Sequence, residues 1–382
     1  MQTRKLYYED CHIKEFTARV CSCDEVDGGF SVILDATAFY PEGGGQACDL
    51  GKLGNVRVLD VQEREDKIVH LCDGALEIGS TITGVLDWDR RFDLMQQHTG
   101  EHILSGLIHK AFGYHNTGFH VGAQVMEVDF DGMIPPEALV ELELQANRAL
   151  WENVPVLCSI PSADELPHIP YRTKRQLPWP IRLVQIPGYD SCACCGVHTA
   201  TTGEVGILKI ISCTKLRQGV RLELVCGGRA YCYLSNIFEQ NRQVSQCFSA
   251  KPTETGTAAE KMNEALAAEK HRATGLQNQI LALLTERYVN QKNVLCFHQD
   301  LTGAQLRLLT EKISETCQGY VAVFSGSDGN YSYCLGGNAT DIARLGQAMN
   351  DALSGRGGGK GNFRQGTVPA TRAQIEAFFK TI

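Results

Sequence analysis

The residues best suited to chemistry lie in two short segments far apart in the chain. His98-Thr99-Gly100-Glu101-His102 sets two imidazoles at i and i+4. On a helix they project from one face about one turn apart and can grip a single ion. Glu101 follows the first histidine by three residues rather than one, so it is not placed like the general base of a His-Glu-x-x-His metalloprotease helix. Cys194-Cys195-Gly196-Val197-His198 offers a thiolate and a third imidazole at the same spacing, with a glycine that lets the segment wrap around an ion. Three nitrogens and one sulfur form a set of the softness that Zn²⁺ prefers. Cys192 and Cys195 form a rival Cys-x-x-Cys that could take the ion or act as a redox pair. Cys194 is preferred because its spacing to His198 mirrors that of His98 to His102. Such an ion is either a closed structural staple or a centre that polarises a substrate or water. Polar candidates for its surroundings are Gln96, Gln97, Thr99, His120 and the loop Gly43-Gly44-Gly45-Gln46.

The elements that must carry these residues follow from the patterning. Residues 1–88 read as short alternating strands separated by Gly and Asp turns, which predicts a small β-barrel interrupted by the glycine-rich loop. From Asp89 the period becomes helical, with Leu94, His98, His102, Leu104 and Ile108 on a helix stopped by Gly113. A strand over Val121–Asp129, a helix from Pro136 to Asn153 and strands at Ile181–Ile186, Val205–Cys213 and Val220–Val225 complete a second domain over 89–233. Residues 234–290 are helix formers, broken near Pro252-Thr253-Glu254-Thr255-Gly256. Within them Leu266, Ala273 and Ile280 fall seven apart, with Met262, Leu276 and Leu283 on the other seam, which predicts a helical arm. Residues 291–382 read as a separate small α/β domain with a glycine loop before its last helix. The whole is a multidomain α+β chain.

Composition narrows the classes. The chain has 382 residues and a net charge of −8, which argues against coating nucleic acid by bulk charge while leaving local basic strips open. No run approaches the roughly 18–20 apolar residues of a membrane span. Sixteen cysteines are about 4% of the chain, well below the roughly 8–10% of a disulfide scaffold. The start MQTRKLYYEDCHIKEF has no apolar core of a secretory signal, so the expected compartment is the reducing cytoplasm, with no membrane partner.

Thr37-Ala38-Phe39-Tyr40-Pro41-Glu42-Gly43-Gly44-Gly45-Gln46, the His-Thr-Gly-Glu-His helix, the Cys-x-x-x-His segment and Arg221-Leu222-Glu223-Leu224, taken at these spacings, resemble the editing domain of alanyl-tRNA synthetases and the freestanding AlaX proteins. Residues 355–366, Gly-Arg-Gly-Gly-Gly-Lys-Gly-Asn-Phe-Arg-Gln-Gly, resemble the glycine-rich end of the DHH-associated domain, as in the long form of AlaX. The resemblance implies a zinc-dependent hydrolase that deacylates alanine tRNA mischarged with serine or glycine. It implies His98, His102, Cys194 and His198 as zinc ligands, and Thr37, Gln46, Gln97 and His120 as pocket candidates around a zinc-centred reaction. Thr37 matches the threonine associated with choosing serine over alanine. Nothing resembles an ATP-binding synthetase module, so editing would act in trans. The family's usual Cys-Gly-Gly-Thr-His here carries Cys195 and Val197 in place of the first glycine and the threonine.

Contact with tRNA must come from local patches. Arg172, Lys174, Arg175 and Arg182 with Trp179 form one strip without acids, and Arg356, Lys360 and Arg364 with Phe363 form another. The helical arm and last domain offer either a homodimer contact or a grip on the tRNA elbow. The rival reading of the chain is an RNA-binding protein with a purely structural zinc. A phosphoesterase is disfavoured, since no Asp-His-His motif is present.

Overall fold

The computed structural model describes residues 2–173, 179–338 and 341–382. They form two compact units, one ending at Gln243 and the other beginning at Val244.

The first unit begins with β1 (Arg4–Lys5) and continues through β2 (Glu15–Val26), β3 (Gly29–Leu34), β4 (Ala36–Thr37), β5 (Gly51–Leu53), β6 (Val56–Arg64), β7 (Lys67–Cys72) and β8 (Thr81–Leu86). Six of these close a barrel in the order β2-β3-β7-β6-β5-β8, while β1 pairs in parallel with β4. Alternation explains the closure. Along β2 the side chains of Phe16, Ala18 and Val20 turn inward and their neighbours outward, and they meet Val32, Leu34, Val61 and Ile68 in one apolar core.

One polar pair is sealed into that barrel. His70 Nδ1 donates to the Val32 carbonyl at 3.1 Å, which leaves Nε2 to accept from the Thr37 hydroxyl at 2.9 Å. Thr37 Oγ1 in turn accepts from the Phe39 amide at 3.1 Å. Both side chains are fully buried, so the neutral imidazole is the form that fits.

The long helix α1 (Trp88–Phe112) follows, capped by the Asp87 side chain at its start and by Gly113 in the left-handed region at its end. It packs against α2 (Pro136–Glu152) and against β15 (Val220–Cys226), part of a four-stranded antiparallel sheet in the order β14-β15-β10-β9. The other members of that sheet are β9 (Asn116–Val121), β10 (Met126–Phe130) and β14 (Leu208–Lys215). Where the sequence predicts one strand over Val121–Asp129, the chain makes the hairpin β9–β10, because Gly122 and its neighbours turn it after Val121. A second small sheet joins β11 (Leu157–Ser159), β12 (Leu183–Ile186) and β13 (Asp190–Ala193). Helix α3 (Gly227–Cys247) comes next.

The docking of α1 is electrostatic as well as apolar. Arg91, on its first turns, is fully buried and faces the equally buried Asp49 carboxylate, donating from Nε at 2.9 Å to each oxygen and also from Nη2. Nη2 donates besides to the Ala38 carbonyl, and Asp49 accepts from the Tyr40 amide, each at 2.6 Å.

The second unit contains α4 (Thr255–Glu286), β16 (Val294–His298), α5 (Gly303–Ser314), β17 (Tyr320–Ser327), β18 (Asn330–Gly337), α6 (Ile342–Leu353), β19 (Arg356–Gly358), β20 (Phe363–Val368) and α7 (Arg372–Phe379). Its sheet runs β16-β17-β18-β20-β19, with β16 and β17 parallel and the rest antiparallel. The predicted glycine loop is therefore a hairpin. Gly357 opposes Gly366, and the Tyr333 hydroxyl sits over both, where side chains would collide with it. On α4 the apolar positions Met262, Leu266, Leu276, Ile280 and Leu283 are all exposed.

Two outcomes follow from the buried polar groups. Asp49→Ala strands the Arg91 charge and is expected to cost about 3–5 kcal/mol, read as a fall in the urea midpoint of the first unit's unfolding. Burial lowers the His70 pKa to about 4, against about 6.5 when unfolded. The unfolded chain therefore takes up the proton first as pH falls through that window. Stability present above pH ~6.5 should decline towards pH ~4 by up to about 3 kcal/mol. Urea titrations at pH 7 and pH 5 should show the decline in the wild type and a weaker one in His70→Gln; equal slopes would refute it.

Candidate metal centre and its cavity

α1 places His98 and His102 on one buried face, one turn apart, with ring centroids 5.3 Å from each other. The loop after β13 brings Cys194 and His198 to the same point. The potential ligand atoms of His98, His102, Cys194 and His198 all lie within 4.8 Å of one another. Cys194 Sγ is 3.5 Å from both His98 Nε2 and His198 Nε2. A tetrahedral ion holding sulfur at roughly 2.3 Å and nitrogen at roughly 2.0 Å has an S···N edge of about 3.5 Å, so the spacing is that of a ligand set.

Each ligand is oriented from behind. His98 Nδ1 donates to Gln46 Oε1 at 2.8 Å, and His102 Nδ1 donates to Asp190 Oδ2 at 3.0 Å. His198 Nδ1 lies 3.4 Å from the Thr99 hydroxyl, and Cys194 Sγ accepts from the Gly196 amide at 3.3 Å. With every Nδ1 engaged, the three Nε2 atoms are the ones left for an ion, and this outer shell is the usual partner of a metal site. Burial raises the cost of ionising Cys194, yet the neighbouring His98 and the hydrogen bonds from the three imidazoles hold its pKa well below the usual thiol range. Burial likewise disfavours a charged His102, but Asp190 and Cys194 lift its pKa well above the usual value. Asp190 stays ionised despite burial because His102 and Arg172 both donate to it. The three imidazoles around Cys194 thus favour its thiolate form.

Gln46 reaches His98 because of its loop. The Gly43 and Gln46 amides and carbonyls pair across a two-residue turn in which Gly44 (φ 61°) and Gly45 (φ 86°) both occupy the left-handed region. At Gly196 the constraint is space, since a Cβ there would stand 2.2 Å from His98 Cε1.

A cavity of about 680 Å³ opens onto the ligands. Among its walls are Tyr8, Gly44, Glu101, Asn116, Phe119 and Cys192, and Phe119 stacks on His98 at 5.0 Å.

Of the other expected pocket residues, only Gln46 stands at the site, and it stands behind a ligand. Thr37 does not line the cavity, because its hydroxyl is spent on His70 inside the barrel. Gln97 is buried on another face of α1, bonded through both amide atoms to the Cys226 backbone. His120 is exposed; strand alternation sends Phe119 to the cavity and its neighbour away from it. The rival thiols stay outside the quartet although both residues line the cavity: Cys195 Sγ is 3.7 Å from the Tyr40 hydroxyl, and Cys192, whose Sγ is 3.7 Å from the Ala193 carbonyl, groups with His102 and Asp190 within 4.8 Å instead. Arg172 and Arg182 are internal braces. Arg172 grips Asp190 with two hydrogen bonds, and Arg182 donates to the Cys194 and Gly196 carbonyls while lying 4.4 Å from the Tyr8 ring centre. Lys174 and Arg175 fall outside the described residues. Sequence reasoning missed Glu101, Asn116 and Asp190. Asp190 could have been suspected only from knowing that it faces His102 in space.

Comparison with known proteins agrees with this architecture. Residues 2–90 match the family described as tRNA synthetases class II (A), and residues 181–222 match the threonyl and alanyl tRNA synthetase second additional domain. The alanyl-tRNA editing protein Aarsd1 of Danio rerio is 26% identical, covering 97% of this chain and 96% of that protein. Aarsd1-A of Xenopus laevis is also 26% identical, covering 98% and 96%. Over nearly its whole length the chain is therefore similar to alanyl-tRNA editing proteins. The chain is also 37% identical to the alanine–tRNA ligase of Ignicoccus hospitalis, over 65% of its own length and 29% of the ligase. A solved C-Ala domain of Aquifex aeolicus alanyl-tRNA synthetase is 18% identical, covering 23% of this chain and 85% of that domain at a TM-score of 0.21, too low for a statement about fold.

If the site is held as described, Gln46→Ala and Gly196→Ala each loosen His98. Both should weaken metal binding by about 10–100-fold, measured by competition with a chromogenic chelator. Unchanged affinity in both would refute the orienting role.

Proposed function

We propose that the protein is a trans-acting hydrolase that removes serine or glycine from mischarged alanine tRNA by cleaving the aminoacyl ester, with Zn²⁺ held by His98, His102, Cys194 and His198. The observation that carries this reading is the His₃Cys set opening onto a cavity large enough for an aminoacyl-adenosine end. The near full-length likeness to Aarsd1 supports it. A closed structural staple would not need that cavity.

Bound zinc supplies Lewis acidity for an ester that is already reactive. The chain's own residues do the positioning. Gln46 and Asp190 fix the rings of His98 and His102, and Arg182 braces the loop that carries Cys194. Phe119 forms an apolar wall beside His98, which shapes the space left for a small amino acid. Selectivity against alanine calls for cavity groups that pair with polar substrate atoms and lose a partner when alanine enters. Thr37, inside the barrel, is not one of them.

For tRNA, the hairpin β19–β20 is the favoured contact. Arg356 and Lys360 are exposed on it, and Arg364 and Phe363 lie beside them. Sixteen free cysteines suit a cytoplasmic setting, and among the described residues no helix is long and apolar enough to cross a membrane.

The reading is tested by deacylation of seryl-, glycyl- and alanyl-charged alanine tRNA, with metal content measured on the same sample. Wild-type protein should release serine or glycine and spare alanine. His98→Ala and His102→Ala should lose the activity by about 10³-fold or more while circular dichroism shows the fold retained. Full activity in either variant would overturn the assignment.

A further inference from the structure

Glu101 is a carboxylate that no Arg or Lys among the described residues meets in an ion pair. Its side chain is 6% exposed, and it lies in the wall of the metal-centre cavity. Oε1 accepts from the Ser105 hydroxyl and from Asn116 Nδ2, both at 2.5 Å, which fixes the plane of the group. Oε2 receives no hydrogen bond from any described residue, and the nearest cationic candidate is the His102 ring at 3.9 Å. The other buried carboxylate of this region, Asp190, is fully engaged by Arg172 and His102. A carboxylate oxygen in a cavity wall with no donor of its own gains from a cationic ligand group.

The substrate class proposed above brings one cation of its own. An aminoacyl ester carries a free α-ammonium two bonds from the ester carbonyl, whereas its amide-blocked counterpart carries none. We propose that Glu101 Oε2 accepts from this α-ammonium and so makes the site selective for esters of free amino acids over N-blocked esters. Ser105 and Asn116 act as positioning residues that keep the second oxygen turned to the cavity. The inference rests on the editing reading. It assigns Glu101 to substrate recognition through a charge-assisted hydrogen bond, with no covalent step.

Glu101→Gln is a sharp probe. Glutamine keeps the inner hydrogen bonds through its carbonyl and presents an amide N–H donor where the carboxylate presented an acceptor. Seryl-tRNA and N-acetylseryl-tRNA are compared as substrates for both proteins, with metal content and melting temperature measured alongside. Wild type should prefer the free-amine ester by on the order of 10–100-fold in kcat/KM. The variant should lose about that factor on the free-amine ester only, with its metal content unchanged. A second measurement needs no variant: wild type should bind a non-hydrolysable 3′-seryl-amide adenosine more tightly than its deamino counterpart by on the order of tenfold or more. Equal binding of the two analogues, or an equal loss by Glu101→Gln on both esters, would overturn the proposal; the latter would place Glu101 on a step common to both, such as holding water. If wild type hydrolyses neither ester, the editing reading itself fails and takes the proposal with it.

Discussion

Arg91 and Asp49 are both sealed from water, and what they join makes the metal centre geometrically possible. Asp49 closes the segment that begins at Thr37 and contains the glycine turn, while Arg91 stands two turns before His98 on α1. Pairing them, with the Ala38 carbonyl and Tyr40 amide enlisted as well, fixes the register of a barrel loop against a helix. Gln46 can then meet His98 Nδ1 at 2.8 Å without an induced movement. A buried ion pair is a poor source of net stability. Here it works as an alignment device, since an apolar pair would pack without specifying this register.

The same logic continues outward from the ligands. Every imidazole has its far nitrogen engaged, and one anionic group, Asp190, is shared between a ligand and Arg172. That sharing ties β13 to the segment before β12 and hence carries Cys194 and His198 into place. Arg182 does the corresponding work from the other side by holding the carbonyls of Cys194 and Gly196. Two arginines that read in the sequence as an RNA-facing strip are consumed in building the centre, because the buried Asp190 carboxylate and the Cys194 and Gly196 carbonyls beside the ligand set take their donors.

What was legible in the sequence had a period or a spacing. The barrel alternation, the helix bearing His98 and His102 and the ligand quartet could be read directly, since each depends on residues three, four or two apart. The choice of Cys194 over Cys192 and Cys195 also came from spacing. The errors have a common cause in orientation. Thr37 and His120 have the right residue types in the right motifs, yet one faces the barrel interior and the other faces solvent, and a one-residue shift on a strand decides this. Glu101 was discounted because its spacing fails a protease template, although its i+4 neighbour Ser105 and the distant Asn116 set its role. The glycine run near the C-terminus read as a loop because glycine is poor in strands, whereas here the missing side chains admit the Tyr333 hydroxyl.

The ligand quartet also has a history in time. α1 delivers two imidazoles, and the thiolate and last imidazole lie almost a hundred residues later, beyond the hairpin β9–β10, α2 and the three strands of another sheet. A chain emerging from the ribosome therefore carries a half-site for the interval needed to synthesise those elements. Two imidazoles hold an ion far more weakly than four ligands do, so the complete ligand set exists only once the first unit has closed. A chain stalled midway presents a pair of histidines alone, half of the ligand set that the folded unit brings together.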